Sequence, residues 1–351
     1  MHPLSIRAVI DDFELAPIKR AIVFDPSDKE KGQLITPQIE DRSFSPYRKF
    51  TYTLPGAGTV TQFVSNRQIN SRPDGPDDIF QQLQEVDLGL RRYPLSAAKV
   101  GGTLNAQFAV NYGMPYDFVV DVDSRAFSEA CDPILRVLGR LTWATDKAVE
   151  AEGEGGTAQK PNELLALGYF EDMNINYHDD GESTLGPTIA SLSLGSKAVK
   201  TLRMKYKYYY GLTKNTKNVL DPKADPVLEG CAGREWRLKL KQELTNGSIA
   251  EKDYKEEWKK RQKEWAGGRR LGDPPVCIIT ELHHGDMVVM NGEGVQKYYE
   301  HAVALEKGGG SKLRFALTAR HVIKEKLGNK SMGQAWKGDF KLTPGQTYDG
   351  K

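Results

Sequence analysis

The chain has 351 residues, of which 39% are hydrophobic and 27% charged, and its formal net charge is +2. This length is enough to bury a large hydrophobic core, and the near-neutral charge excludes a surface that attracts polyanions everywhere, so any nucleic-acid surface must be a local patch. The 34 glycines and 18 prolines favour a strand-rich or mixed fold over a helical bundle.

The cysteines and the distribution of apolar residues predict the cellular compartment of the protein. Cys131, Cys231 and Cys277 lie far apart and form no CxxC pair, which is typical of a reducing environment. The N-terminal segment lacks the apolar stretch of a signal peptide, and no apolar run is long enough to span a membrane. We expect an intracellular protein, nuclear or cytoplasmic, without a membrane partner.

The first half of the chain predicts short strands and two helices. Residues 1–75 contain short extended segments separated by Pro, Gly and Ser. Apolar residues at helical spacing predict a helix over 77–92 with Asp77 as its N-cap. Alternation around a Tyr-Gly turn predicts two strands in 105–121, and 126–150 predicts a second helix.

The second half predicts mostly strands. Residues 162–170 predict a strand that runs into "NINYHDDGES" (174–183), and the alternation in 187–196 predicts the next strand. The charged segment 206–275 interrupts this pattern and is interpreted as an insertion that ends in a helix over 249–265. Three strand-like segments follow it, at 275–292, 295–305 and 311–323.

The stretch "NINYHDDGES" contains an H-x-D pair, His178 and Asp180. Residues two apart on a strand point to the same side, and two imidazoles with one carboxylate on one face of a metal define the Fe(II) site of many oxygenases. The pair therefore predicts two ligands of a metal site. The third must come from another strand, and the candidates are His283, His284, His301 and His321.

A second signal lies in "LRFALTAR", where Arg314 and Arg320 are six residues apart. Even spacing on a strand places both guanidinium groups on one face. Buried cations require anionic partners, and a dicarboxylate co-substrate would supply them, because arginine binds carboxylates in a bidentate manner.

The H-x-D pair, "HGDMVVMNG", the His after the aromatic pair in "YYEH" and the R-x5-R pattern together resemble the AlkB family of Fe(II)- and 2-oxoglutarate-dependent dioxygenases. The resemblance covers about residues 105–325. It implies an α+β fold with a double-stranded β-helix (jelly-roll) core, flanking N-terminal helices and a long insertion. The expected division is an N-terminal extension over 1–100, with short strands and a helix, and a dioxygenase domain over 101–351 that contains the insertion at 206–275.

The resemblance also implies a role for each motif residue. His178, Asp180 and His301 would be the Fe(II) ligands. Arg314 would bind the distal carboxylate of 2-oxoglutarate, and Arg320 would lie near its C1 carboxylate. O₂ would be the second co-substrate.

Further positions match the family more loosely. Tyr169 matches a tyrosine that also contacts the distal carboxylate, and Leu167 stands where the family usually has Asn, a departure that bears on one hydrogen bond to the co-substrate. Glu182 matches an acid that faces the target base in nucleic-acid demethylases. Tyr112 and Tyr116, in "NYGMPYDF", resemble a lid that grips the base.

These expectations leave three functional hypotheses open. The first is oxidative demethylation of N-alkylated bases in DNA or RNA, as in repair, with release of succinate, CO₂ and formaldehyde by a monomeric enzyme. The second is the same oxygenase chemistry on a protein side chain or a small molecule. The third is a nucleic-acid-binding module without turnover.

Several polar or aromatic residues have simpler interpretations. His283 and His284 are expected in a hairpin turn, and His321 on the strand face opposite Arg320. The tyrosines of 206–210 are expected in the core of the insertion, with nucleic-acid stacking as the alternative. Residues 259–263, "KKRQK", are expected on the solvated side of a helix.

Overall fold

The computed structural model describes residues 39–41, 46–93, 104–115, 124–150, 159–171, 173–214, 219, 225–267, 271–305, 313–327 and 340–351. In this part of the chain, no helix is both long and apolar enough to cross a membrane.

Thirteen strands form within these residues. In chain order they are β1 (Ile39–Asp41), β2 (Arg48–Leu54), β3 (Gly58–Val64), β4 (Phe108–Gly113), β5 (Ser124–Arg125), β6 (Glu163–Tyr169), β7 (Asn174–His178), β8 (Leu185–Gly195), β9 (Ala198–Met204), β10 (Val276–Leu282), β11 (Met287–Asn291), β12 (Tyr299–Leu305) and β13 (Arg314–Val322).

The strands pair into two sheets. The major sheet has the order β1-β2-β3-β11-β8-β13-β6-β4-β5, and the minor sheet has the order β10-β9-β12-β7. Neighbouring strands are antiparallel, apart from the short parallel pair β4 and β5. This mixed α+β structure with a large antiparallel sheet confirms the expected jelly-roll fold class.

Seven α-helices accompany the sheets in the described residues. They are α1 (Arg67–Asn70), α2 (Pro76–Glu85), α3 (Asp132–Glu150), α4 (Tyr206–Tyr210), α5 (Arg234–Thr245), α6 (Glu251–Ala266) and α7 (Glu293–Tyr298). Single 3₁₀ turns form at Phe127–Glu129 and Lys324–Lys326.

Helices α2 and α3 cover one face of the major sheet. The fully buried Ile134 and Leu141 of α3 share a core with Leu192 of β8 and Leu317 of β13. Alternate residues of these two strands point away from that core. The opposite face of the same strands therefore lies towards the space between the two sheets.

Two helix boundaries differ from the prediction. The helix predicted over 77–92 ends at Glu85, because Val86 has extended dihedrals and the chain then runs along β4, where Arg91 bridges Ala109. Its N-cap is Gly75, with Pro at the first helical position, so the prediction of Asp77 as the cap is wrong. The helix predicted within 126–150 is observed over Asp132–Glu150, after a 3₁₀ turn.

One predicted strand start is also wrong. The segment 295–305 was expected to be a strand throughout, but Glu293–Tyr298 forms α7 and the strand begins at Tyr299. Of the two strands predicted in 105–121, β4 is observed, and residues 116–121 lie outside the described residues.

The insertion contributes a second hydrophobic core. Tyr208, Tyr209 and Tyr210 are buried in it together with Tyr254 and Trp258 of α6. The tyrosine cluster is therefore core packing, as its simpler interpretation predicted. Residues 259–263 lie on the largely exposed side of α6.

The division predicted near residue 100 stays a prediction. The major sheet runs across it, since β3 pairs with β11 along five residues, and β2 pairs with β3 in turn. The strands of the N-terminal segment are therefore hydrogen-bonded into the same sheet as the predicted dioxygenase domain.

The turn between β10 and β11 is held by a buried carboxylate. Asp286 accepts hydrogen bonds from the backbone N–H of Ser65 at 2.8 Å and of His283 at 2.9 Å. Burial raises the pKa of Asp286 to about 7, although these hydrogen bonds oppose the shift. His284 is buried in the same turn, and its Nδ1 accepts the N–H of Gly195. Both histidines are therefore turn residues, as predicted, but the turn joins strands of different sheets, so the prediction of a hairpin is wrong.

We predict that Asp286→Ala lowers the free energy of unfolding by about 2–4 kcal/mol, because it leaves two partly buried N–H groups of the turn without an acceptor. Between pH 4 and pH 7 the folded state retains the Asp286 proton that the unfolded chain releases, so the stability of the wild type falls as pH rises through this range. Asp286→Asn removes this contribution and flattens the fall.

Chemical denaturation at pH 5 and pH 8 measures both effects. Asp253→Ala, at an exposed position of α6, is the control and should change stability by no more than about 0.5 kcal/mol. Equal pH dependence in the wild type and Asp286→Asn would show that Asp286 does not titrate as the burial implies.

Candidate active site

A cavity of about 520 Å³ lies between the two sheets and receives side chains from both. On the major sheet, the alternation that sends Phe315 and Leu317 into the helix-covered core sends Arg314 and Arg320 into the cavity. The expectation that the two arginines share a strand face is therefore fulfilled.

Three potential metal ligands meet at one end of this cavity. The donor atoms of His178, Asp180 and His301 all lie within 4.8 Å of one another. His178 ends β7, and the register of the minor sheet places it directly opposite His301 of β12. Of the four candidate histidines in the sequence, His301 is the one that the register brings beside His178 and Asp180.

The protonation state of His301 and the orientation of the His178 ring suit a cation. Burial lowers the pKa of His301, and the neighbouring Lys200 and His178 lower it further. His301 is thus a neutral imidazole, the form that binds metals. His178 Nδ1 lies 2.8 Å from the carbonyl oxygen of Asn176, an arrangement that leaves Nε2 for a metal.

Arg320 is already paired inside the protein. Its Nε and Nη2 donate to the two carboxylate oxygens of Glu163 at 2.9 and 2.7 Å, and both side chains are buried. Its Nη1 lies 4.0 Å from Asp180 Oδ1. Burial raises the pKa of Glu163, and the charge of Arg320 opposes that rise. The ion pair therefore fixes a cation beside the carboxylate of the metal site.

Arg314 is placed differently. Its Nε donates to Ser193 Oγ at 3.0 Å, and its guanidinium lies 5.2 Å from the ring centroid of Tyr169. Its buried Nη1, however, has no hydrogen-bond partner among the described residues. Because an orphaned guanidinium N–H is costly, this atom fits an anionic ligand in the cavity.

Two buried charged residues at the site are not predicted by the sequence motifs. Glu163 is the partner of Arg320, and it lies directly opposite Arg320 in the register of β6 and β13. Lys200, on β9, lines the cavity and is buried. The alternation of β9 and the charged start of β6 are visible in the sequence, but neither shows which face is inward.

Glu182 lies beside the metal triad and does not line the cavity itself. One carboxylate oxygen, Oε2, is buried without a hydrogen-bond partner in the described residues. Burial raises the pKa of Glu182 to about 7, and Asp180 raises it as well. The side chain can therefore accept or donate a hydrogen bond near neutral pH.

The lid prediction fails at Tyr112. Odd-numbered residues of the β4 segment, such as Gln107 and Ala109, face the cavity, whereas Tyr112 faces the helix-covered core and is 2% exposed. It cannot contact a substrate in this position. Tyr116 lies outside the described residues, and Leu167 lines the cavity as an apolar side chain.

The comparison with protein families identifies the class. A model of the 2OG-Fe(II) oxygenase superfamily matches residues 56–320, and the chain belongs to this superfamily. Members use Fe(II), 2-oxoglutarate and O₂, and the cavity has residues that fit them: a His-Asp-His set for the metal and an arginine with a free N–H for a carboxylate. The predicted class of enzyme, a 2-oxoglutarate-dependent dioxygenase, is confirmed.

Among solved structures, the chain is similar to one titled "The structure of OsALKBH1". The two share 13% sequence identity over 77% of this chain and all of the other, with a TM-score of 0.38, a likeness that carries no argument about substrate. No curated protein matches the sequence.

We predict that Glu163→Ala lowers the free energy of unfolding by about 3–5 kcal/mol, because Arg320 stays buried without that carboxylate. The double variant Glu163→Leu with Arg320→Met should be more stable than the single variant, since neither charge remains. The double variant should nevertheless bind Mn(II) about 10-fold more weakly, because Arg320 then no longer orients Asp180.

Denaturant unfolding and Mn(II) titration separate the two effects. Glu150→Ala, at the exposed end of α3, is the matched control and should leave both unchanged. A double variant with normal metal affinity would show that the ion pair serves stability alone.

Proposed function

We propose that this dioxygenase demethylates N-methylated bases in nucleic acid, with His178, Asp180 and His301 as the Fe(II) ligands. The observation that carries the nucleic-acid part is the buried, unpartnered Oε2 of Glu182, two residues after Asp180. It is an unsatisfied hydrogen-bonding group that a rotation of the side chain towards the metal position would offer to the polar edge of a base. The AlkB-like motif order supports the same substrate class.

Each cavity residue has a task in this proposal. Arg314 and Tyr169 bind the distal carboxylate of 2-oxoglutarate, and Arg320, held by Glu163, lies near its C1 carboxylate and orients Asp180. When bound, iron, 2-oxoglutarate and O₂ supply oxidation of the substrate C–H bond, which releases succinate, CO₂ and, from an N-methyl group, formaldehyde.

The cavity also controls solvent and access. Leu165, Leu167 and Ala316 line it with apolar surface, which excludes water from the reacting groups. A methylated base in a duplex must leave the stack to reach the metal position. Repair of DNA in the nucleus is one setting that such an activity would serve.

A second candidate function keeps the chemistry and changes the substrate to a protein side chain or a small molecule. The observation that favours it is the burial of Tyr208, Tyr209 and Tyr210 in the second core, since the tyrosine cluster then offers no stacking platform for bases. Asn105, Gln107 and Asn174 at the cavity wall would suit polar substrates of several kinds.

The decisive experiment measures formaldehyde and succinate release on a panel of methylated single- and double-stranded DNA and RNA oligonucleotides. We expect stimulation by at least one oligonucleotide and loss of more than about 100-fold of the rate in His178→Ala, because a metal ligand is removed. His283→Ala, in the turn away from the cavity, is the matched control and should keep the wild-type rate.

Two outcomes contradict the proposal in different places. If His178→Ala keeps full activity, the metal assignment is wrong. If the panel never stimulates succinate release while a peptide or small molecule does, the second candidate function replaces the first.

Glu182→Gln tests the base contact separately. It keeps the size of the side chain but removes its charge, so we expect a 10-fold or greater fall in kcat/KM for the methylated oligonucleotide. The rate of succinate formation without substrate should remain unchanged, because that reaction needs only the co-substrate and metal. A proportional fall in both rates would place Glu182 in the metal site.

A further inference from the structure

Lys200 is a buried cation that the roles assigned above leave unused. It lies on the inward face of β9, opposite Val303 of β12 and Thr280 of β10, and is 7% exposed. It lines the same cavity as the metal triad. Within the described residues its ammonium group has no hydrogen bond or ion pair.

A lone ammonium group in this position is costly, since burial without an anion sacrifices hydration. Burial lowers the pKa of Lys200 to about 8, and the charge of Arg314 lowers it further while Asp180 opposes the shift. Two cations thus lie close together in one cavity. Neither has a carboxylate partner in the described residues, whereas Arg320 is neutralised by Glu163.

The position of Lys200 suits one part of the co-substrate. Val303, its partner, follows His301 by two residues along β12, so Lys200 lies one inward-facing position beyond the metal ligand. Arg314 begins β13, at the end opposite Arg320. A 2-oxo dicarboxylate that reaches from the metal towards Arg314 would carry its distal carboxylate past Lys200.

We propose that Lys200 Nζ and Arg314 together bind the distal carboxylate of 2-oxoglutarate, so that Lys200 selects for a dicarboxylic 2-oxo acid. A charge-assisted N–H···O bond would then replace the hydrogen bond that the apolar Leu167 cannot make. The inference rests on the assignment of the cavity to the co-substrate and is independent of the nucleic-acid substrate.

The test compares two probes that differ at the distal end. 2-Oxoglutarate has a carboxylate there, and 2-oxovalerate has a methyl group in its place. Calorimetric titration of both into the Mn(II)-loaded protein without O₂ measures binding without turnover. We expect Lys200→Met to weaken binding of 2-oxoglutarate by about 10- to 100-fold and to leave the affinity for 2-oxovalerate within about twofold.

Thermal unfolding separates recognition from a structural role. Lys200→Met removes a desolvated charge, so its Tm without ligand should be equal to or above that of the wild type. The rise in Tm on adding 2-oxoglutarate should shrink. Lys200→Arg should retain the preference for 2-oxoglutarate, and Lys197→Met, which removes a lysine paired with Glu281 at the start of the same strand, is the matched control.

Three results of these titrations would contradict either the proposed role of Lys200 or the assignment of the cavity to the co-substrate. An unchanged affinity of Lys200→Met for 2-oxoglutarate, or equal weakening of both acids, rejects the role of Lys200. If Arg314→Met weakens the binding of 2-oxoglutarate in the same experiment, the assignment of the cavity to the co-substrate still holds, even when the role of Lys200 is rejected. If the wild type binds both acids equally well, the cavity assignment itself fails.

Discussion

The balance of charge buried between the two sheets is the constraint on which the site depends. A cavity that contains arginines, a lysine and a carboxylate is stable only if each charge is paired within the protein or is paired with a charged group of a bound ligand. Glu163 neutralises Arg320 from the same wall. Arg314 and Lys200 have no such partner among the described residues, so the protein's own pairing divides the cavity into an internally balanced end and an end that requires an anion.

Strand register determines which of these side chains face each other. Arg320 faces Glu163 across β13 and β6, Arg314 faces Tyr169 across the same strands, and His301 faces His178 across β12 and β7. These partners are distant in sequence, and each pair is fixed by backbone hydrogen bonds that continue well beyond the site. A slip of one residue would send the side chains of a strand to its other face, so the ladders of both sheets position the chemistry.

The sequence predicted the parts of the site that local spacing encodes. The H-x-D pair and the even spacing of Arg314 and Arg320 require no knowledge of the fold, and the jelly-roll class was implied by the family resemblance that the order of the motifs carries. Lys200 was missed because "VKTLRMKY" has basic residues on both faces, and alternation alone does not show which is buried. The prediction that Tyr112 contacts a substrate was wrong for the same reason. The end of α2 at Glu85 depends on pairing of the following residues with β4, a tertiary contact that overrides helical propensity.

The second core links the insertion to the cavity. Leu202 and Met204 of β9 are buried with Tyr208, Leu240 and Trp258, and Lys200 lies one inward position before Leu202 on the same strand. The insertion lines no part of the cavity within its described residues, yet it anchors the strand that does. Substitutions on the exposed helical surface of α6 should therefore leave the cavity unchanged, whereas substitutions in the aromatic interior should disturb β9 and, with it, the position of Lys200.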